Sequence, residues 1–295
     1  MSFTNEIAEE LLRLPQKKTC CRKAIALGMA LAARPAEQGY ALYLYDEAVA
    51  SFAESALQRI FHAKTSLSPM IRAGRQTYAL FLQSAAVSSF LESLDEGGTD
   101  LREAVGFRCP LCEQHVLRGA IMTCATVTDP AKGYHMELIF PTKGRADAMD
   151  ALLSRAVATP VRVKRGERYG LCYKSNGGIS DVLYFAGGAK TSFDVTNASI
   201  EKEIRNNENR ATNCVAKNIA RSVTASQKHR EAIERLIETK KIDTLPQELR
   251  DTAELRMEFA DASLTELALM HQPPLTKSGL NRRLQRLLEL ADETK

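Results

Sequence analysis

Seven polar side chains near the end of the chain have the types and the spacing needed to read a DNA duplex. They are Lys277, Ser278, Asn281, Arg282, Arg283, Gln285 and Arg286. Leucines at 280, 284, 287 and 288 recur at helical spacing between them, so a helix over residues 277–289 would bury the leucines and expose the polar set. Arginine, asparagine and glutamine make bidentate contacts with base edges in the major groove. The pattern predicts a DNA-reading helix, and the alternative is a terminal helix with a solvated basic face.

A second helix and a short turn come directly before this segment. Ser263 and Glu266 have the spacing of a capping box, and Pro273 and Pro274 end the helix that they begin. Thr276 can cap the following helix. Two capped helices with a tight turn between them are the pattern of a helix-turn-helix, whose second helix enters the major groove.

Cysteines offer a second candidate chemistry. Cys109 and Cys112 form a C-x-x-C pair followed by His115, and Cys20 and Cys21 could complete a zinc site. Structural zinc usually takes two well-spaced ligand pairs, and adjacent cysteines make a poor pair. The chain has seven cysteines, an odd number, and no secretory context. We therefore expect reduced structural thiols, with no metal and no cofactor.

Composition points to a soluble globular protein with a polyanionic partner. The chain has 295 residues, 44% hydrophobic and 26% charged, and a net charge of +4. The basic charge is concentrated in patches: residues 159–174 hold five basic side chains and one acidic side chain. We find neither a signal-peptide order nor an apolar run of transmembrane length, which predicts a cytoplasmic, nucleoid-associated protein without a membrane partner.

Hydrophobic periodicity repeats one order of elements twice: a helix, a strand, a helix, a hairpin and a helix. The repeats cover about residues 18–94 and 109–186, and they predict an α+β domain over residues 1–195 that arose by duplication. Residues 196–244 read as a helical linker with a break at the asparagine-rich run 206–209. Residues 245–295 form the predicted all-α helix-turn-helix domain.

Four segments, in order along nearly the whole chain, resemble the WhiA family of bacterial transcription regulators. They are CCRKAIALGMALAAR (20–34), RGAIMTCATVTDPAKGYHMEL (118–138), NRATNCVAKNIARSV (209–223) and PPLTKSGLNRRLQRL (273–287). The resemblance implies a first domain related to LAGLIDADG homing endonucleases and a second like region 4 of sigma factors. It also implies roles in sporulation, cell division and chromosome segregation. Ile25, where the family usually has glutamate, and Arg34-Pro35, in place of a glycine-rich end, depart from the pattern.

The likeness to homing endonucleases raises a nuclease hypothesis. That chemistry needs a carboxylate at the foot of each paired helix to hold a divalent metal. Here the two helices end in Leu31-Ala32-Ala33-Arg34 and Met122-Thr123-Cys124-Ala125, without an acid. We therefore expect a non-enzymatic scaffold, with metal-dependent DNA cleavage as the less favoured alternative.

A basic hairpin supplies the candidate DNA surface of the first domain. Its basic residues are Arg162, Lys164, Arg165 and Arg168, of which the first two share one face by strand alternation. The equivalent sheet face lies in the major groove in homing endonucleases, and a solvated hairpin is the alternative. We expect a sequence-specific transcription regulator that binds double-stranded DNA and has no small-molecule substrate. Other transcription factors and RNA polymerase are further candidate partners. A scaffold whose first domain binds a protein is the alternative function.

Overall fold

The computed structural model describes residues 2–293, and the chain divides into two compact units, Met1–Glu203 and Ile204–Lys295. The elements of unit 1 before the second repeat are α1 (Phe3–Arg13), α2 (Thr19–Ala30), β1 (Arg34–Ala36), β2 (Gly39–Leu44), α3 (Glu47–Phe61), β3 (Lys64–Arg72), β4 (Arg75–Gln83), α4 (Ala85–Asp95) and α5 (Leu101–Val105). The second repeat contains α6 (Leu111–Cys124), β5 (Ala125–Val127), β6 (Met136–Phe140), α7 (Lys143–Ala156), β7 (Val161–Arg165), β8 (Arg168–Tyr173) and α8 (Asn176–Ala186).

Two antiparallel sheets share one topology. Their strand orders are β1-β2-β4-β3 and β5-β6-β8-β7, and equivalent strands pair, as in Tyr40 with Leu82 and Met136 with Tyr173. The predicted α+β duplication is therefore confirmed. Strands β1 and β5 were not predicted because three residues are too few to show a period.

Helices α2 and α6 approach closely at the centre of unit 1. A Cβ atom built on Gly28 would lie 2.1 Å from the carbonyl oxygen of Val116, and one on Gly119 would lie 2.2 Å from that of Ile25. Only glycine lets the two backbones come this near. Alternate residues of both sheets pack onto the helices in one continuous core, including Leu42, Leu80, Leu138 and Leu171.

A 50-residue helix, α9 (Ala189–Glu238), runs from unit 1 into unit 2. The predicted break at residues 206–209 is wrong, because the asparagines there stay helical and exposed. Asparagine costs less than about 1 kcal/mol in a helix, which a long helix tolerates. Within the predicted linker, residues 196–244, this one helix continues as far as Glu238. Val195 belongs to the core of unit 1, whereas Ile233 and Leu236 belong to that of unit 2.

Unit 2 is all helical. After the 3₁₀ turn Lys241–Thr244 come α10 (Gln247–Glu258), α11 (Leu264–Met270) and α12 (Lys277–Asp292). Their core combines Ala253, Leu267 and the leucines of α12 with the end of α9. Among the described helices, α9 included, we find none long and apolar enough to cross a membrane.

Candidate nucleic-acid interface

The predicted helix-turn-helix is present, with both predicted caps. The Ser263 hydroxyl accepts from the Glu266 backbone N–H, and the Glu266 carboxylate accepts from that of Ser263, so the capping box is complete. Thr276 accepts from the backbone N–H of Gly279 at the start of α12. Leu280 and Leu284 are fully buried. The buried leucines fix which side of α12 faces outward.

The outward side of α12 carries most of the predicted DNA-binding residues. Lys277, Ser278, Asn281, Arg282 and Gln285 are all exposed. The helix has no acidic side chain before Glu289, so the exposed side chains of its first three turns are either positively charged or neutral and polar. Such a face suits the donor and acceptor pattern of the major groove.

Two predicted arginines are held by carboxylates of unit 2. Arg283 lies 2.8 Å from Glu248 of α10 and is the most buried of the three arginines, with 24% of its side chain exposed. Arg286 pairs with Glu289 at 3.1 Å and lies 4.0 Å from Glu293. We find no such partner for Arg282 within residues 2–293. Arg282 is therefore the best placed of the three to meet a base edge.

Basic side chains outnumber acidic ones in the strands of unit 1. They are Arg34, Lys64, Arg72, Arg75, Arg162, Lys164, Arg165 and Arg168. Among the described strand residues we find one acidic side chain, that of Glu137 on β6. A strongly basic pair of sheets is suited to phosphate contacts.

The basic hairpin splits between two faces of its sheet, with Arg162 and Lys164 on one face and Arg165 and Arg168 on the other. Arg162 is directly opposite Leu171, a core residue, so Arg162 and Lys164 lie on the helix-packed side. Arg162 is bound to Asp150 and, at 2.7 Å, to Asp147, both on α7. These partners raise its pKa, with the Asp150 hydrogen bond as the main cause. Arg162 is thus paired with two carboxylates of its own unit.

The other side of the sheets, here called the outer face, carries Arg165 and Arg168, which pair across the hairpin. Arg165 donates to Glu137 at 2.9 Å. Burial would raise the pKa of Glu137, but the Arg165 hydrogen bond and charge lower it overall. Arg168 is exposed and remains the hairpin residue best placed for a phosphate.

The outer face of the first sheet adds arginines that the sequence did not indicate. Arg34 lies opposite Ala41, and the Arg72 guanidinium stacks 4.5 Å above the Tyr43 ring. Partial burial lowers the pKa of Arg34, and the nearby charges of Arg168 and Arg72 lower it further. One basic patch, Arg34, Arg72 and Arg168, therefore draws on both repeats. No local sequence signal could show this, because the three residues meet only through the duplicated fold.

A buried arginine occupies the ends of α2 and α6, where homing endonucleases would need carboxylates. Arg145 is fully buried and donates to the carbonyl oxygens of Leu31 and Ala33 and to both carboxylate oxygens of Asp95. Its charge also acts on the Cys124 thiol at the end of α6. The guanidinium and the Asp95 carboxylate are thus already paired with each other at these helix ends.

Among the described residues of unit 1, two groups have side-chain types that can hold a metal. His135, Glu137 and Cys172 form one, but Glu137 is bound to Arg165. The sulfurs of Cys20, Cys21, Cys109 and Cys112 form the other and lie within 4.8 Å of one another. From the sequence we expected the adjacent Cys20 and Cys21 to make a poor ligand pair, and we did not expect their sulfurs to meet those of Cys109 and Cys112.

Two family models match this chain, one in each of two successive parts. The family model of the WhiA LAGLIDADG-like domain matches residues 113–205, and that of the WhiA C-terminal HTH domain matches residues 209–291. A probable cell division protein WhiA from Caldicellulosiruptor saccharolyticus is 36% identical over 191 residues, which are 65% of this chain and 58% of that protein. One from Clostridium botulinum is 34% identical over 187 residues, 63% of this chain and 59% of the relative. The chain thus spans less than two thirds of the length of these relatives.

Among solved structures, full-length DUF199/WhiA from Thermatoga maritima has a similar fold. The TM-score is 0.60 with 19% sequence identity, and the superposition covers 99% of each chain. At this identity the likeness concerns the fold alone.

Proposed function

Because the chain belongs to the WhiA family, we propose that it is a sequence-specific DNA-binding regulator of transcription, acting in cell division, chromosome segregation or sporulation. A helix-turn-helix supports DNA binding, and the curated relatives are named as cell division proteins. Double-stranded DNA is the partner, and the protein would act at the nucleoid.

One observation carries the proposal: the outward face of α12. Six exposed polar or basic side chains, Arg286 included, lie over buried leucines, and the helix has no acidic side chain before Glu289. Asn281, Arg282 and Gln285 have the chemistry to read bases, while Lys277 and Ser278 at the helix start suit phosphate oxygens. In this proposal, the phosphate contacts position the helix on the duplex and the base contacts select the sequence.

Unit 1 supplies a second, sequence-independent contact in this proposal. The patch Arg34, Arg72 and Arg168 offers positive charge without an acidic partner of its own within the described residues. Such contacts add affinity through counterion release but carry no sequence information. Arg162 has no part in this contact because Asp147 and Asp150 hold it.

We further propose that the protein does not cleave DNA. Arg145 donates to the carbonyls at the end of α2, and neither helix end offers a carboxylate. Incubation of supercoiled DNA with the purified chain and Mg²⁺ or Mn²⁺ should leave it intact. Metal-dependent nicking that persists through purification and co-elutes with the chain would overturn this part of the proposal.

Footprinting of the full chain on genomic fragments tests the DNA-binding function. We expect a few discrete protected sites, and Arg282→Ala should lose them at protein concentrations where the wild type protects fully. Uniform coverage of all fragments would indicate a phosphate-binding protein. An absence of DNA binding at low salt would instead favour a scaffold whose first unit binds a protein.

A further inference from the structure

Four cysteine sulfurs converge at the starts of α2 and α6. Cys20 and Cys21 lie in the first turn of α2, whereas Cys109 and Cys112 flank the start of α6. The Cys109 sulfur is 3.6 Å from that of Cys20, 3.5 Å from that of Cys21 and 3.6 Å from that of Cys112. All four lie within 4.8 Å of one another.

These separations match a tetrahedral metal site. Zinc binds cysteine sulfur at about 2.3 Å, which places the sulfurs of a tetrahedral Cys₄ site about 3.8 Å apart. A disulfide needs about 2.05 Å, much shorter than the separations observed. The cluster is therefore spaced for four ligands around one ion rather than for a covalent bond.

The backbone around the cluster is also arranged for metal-bound sulfur. Cys109-Pro110-Leu111-Cys112 is a C-x-x-C turn, in which the backbone N–H of Leu111 donates to the Cys109 sulfur. Neither α2 nor α6 has a side-chain cap, so no capping side chain occupies their first backbone N–H groups, and the sulfurs lie at the positive dipole ends of both helices. Thiolates bound to a metal are stabilised by such donors.

A buried cation lies beside the cluster. Arg118 is 4% exposed and close enough to Cys21 for their charges to interact. Its Nε donates to the carbonyl of Ala186, but its Nη1 has no hydrogen-bond partner among the described residues. Four thiols that bind Zn²⁺ release four protons and leave a centre with two negative charges, one of which a nearby guanidinium would offset.

We infer that Cys20, Cys21, Cys109 and Cys112 bind one structural zinc ion that joins the two repeats of unit 1. Each repeat contributes two ligands, and the site lies at the opposite ends of α2 and α6 from Arg145. The ion would hold together the helix starts, while Gly28 and Gly119 allow contact farther along. This role is separate from DNA binding and from nuclease chemistry.

Zinc content of the full chain tests the inference directly. The protein is purified under reducing conditions, dialysed against a mild chelator and analysed for metal, alongside Cys20→Ser, Cys109→Ser and a control, Cys214→Ser. Cys214 is exposed on α9, outside the cluster. Wild type and C214S should retain about one zinc per chain. The affinity for Zn²⁺ of C20S and C109S should fall by about 100-fold or more, because each loses a direct ligand.

Thiol alkylation of the wild type keeps the test decisive if the cluster variants fail to fold. Zinc should protect Cys20 and Cys109, both partly exposed, from alkylation, and a strong chelator should abolish that protection. Cys214 should react in both conditions. Substitution of Co²⁺ should give the visible absorption of a tetrahedral tetrathiolate site. Stoichiometric zinc missing from the wild type, or a Cys20–Cys109 disulfide in the reduced preparation, would overturn the inference.

Discussion

Substitution of Gly28 by alanine should strongly destabilise unit 1. The new Cβ would lie 2.1 Å from the carbonyl oxygen of Val116, and the neighbouring atoms are backbone of α6, which cannot rotate aside. Relief needs a separation of α2 from α6 by about 1 Å, and a gap of this size forfeits a quarter to a half of the dispersion energy between facing atoms. Because Ile25, Met29, Leu117 and Ile121 are all buried around this crossing, we expect a loss of about 3 kcal/mol or more.

The chain offers a spectroscopic probe confined to unit 1. All eight tyrosines lie between residues 40 and 184, and the chain has no tryptophan. Tyrosine fluorescence during urea unfolding of the full chain therefore reports the stability of unit 1, even if unit 2 unfolds separately. The free energy of unfolding of Gly28→Ala is compared with that of the wild type.

Gly177→Ala is the matched control. Gly177 also lies in a helix of unit 1, α8, but a Cβ atom there would meet nothing within 4 Å. This variant should be neutral or stabilised by up to about 1 kcal/mol, because alanine is the better helix former. If Gly28→Ala behaved like Gly177→Ala, the close approach of α2 and α6 would be refuted, and with it the shared core of the two repeats.

Two further predictions follow from charged and titratable groups. Burial lowers the pKa of His229 and His271. As the pH falls, these histidines therefore bind protons in the unfolded chain before they do so in folded unit 2. The stabilisation is complete above the ordinary histidine pKa of about 6.5 and is lost as the pH falls toward the lower folded values, which thermal melts of helicity from pH 7.5 to 5 would reveal. A melting temperature independent of pH over this range would refute it. Arg72→Ala should reduce the salt slope of DNA binding by about 1, whereas Arg162→Ala, which loses a guanidinium already bound to Asp147 and Asp150, should leave it unchanged. Equal effects in binding isotherms at several salt concentrations would contradict the assignment of the outer face.

The sequence predicts the helix-turn-helix well because its determinants are local. Ser263 and Glu266, three residues apart, cap one helix, and Thr276 caps the next helix through a neighbour three residues on. The leucine period then identifies the buried side. The same period cannot show that Arg283 reaches Glu248 on α10, because that contact depends on how the helices pack.

Unit 1 shows where sequence reasoning stops. Strand alternation correctly puts Arg162 and Lys164 on one face, but it does not say which face the helices cover. The charge of Arg162 is neutralised by α7, and the basic patch forms instead from Arg34, Arg72 and Arg168. The four-cysteine cluster has the same origin, since ligands about ninety residues apart meet only when the repeats pair.

The most direct test of the central claim compares Arg282→Ala with Arg283→Ala on two DNA duplexes, a footprinted genomic target and its scrambled sequence. Loss of a bidentate base contact costs about 1–3 kcal/mol, or roughly 5- to 150-fold in Kd. We predict that Arg282→Ala weakens binding to the target by this factor and leaves the scrambled duplex nearly unaffected. Arg283→Ala, which removes a side chain already bound to Glu248, should change the ratio of the two affinities much less. If Arg282→Ala weakened binding to both duplexes equally, α12 would contact only phosphates, and its role in sequence recognition would be contradicted.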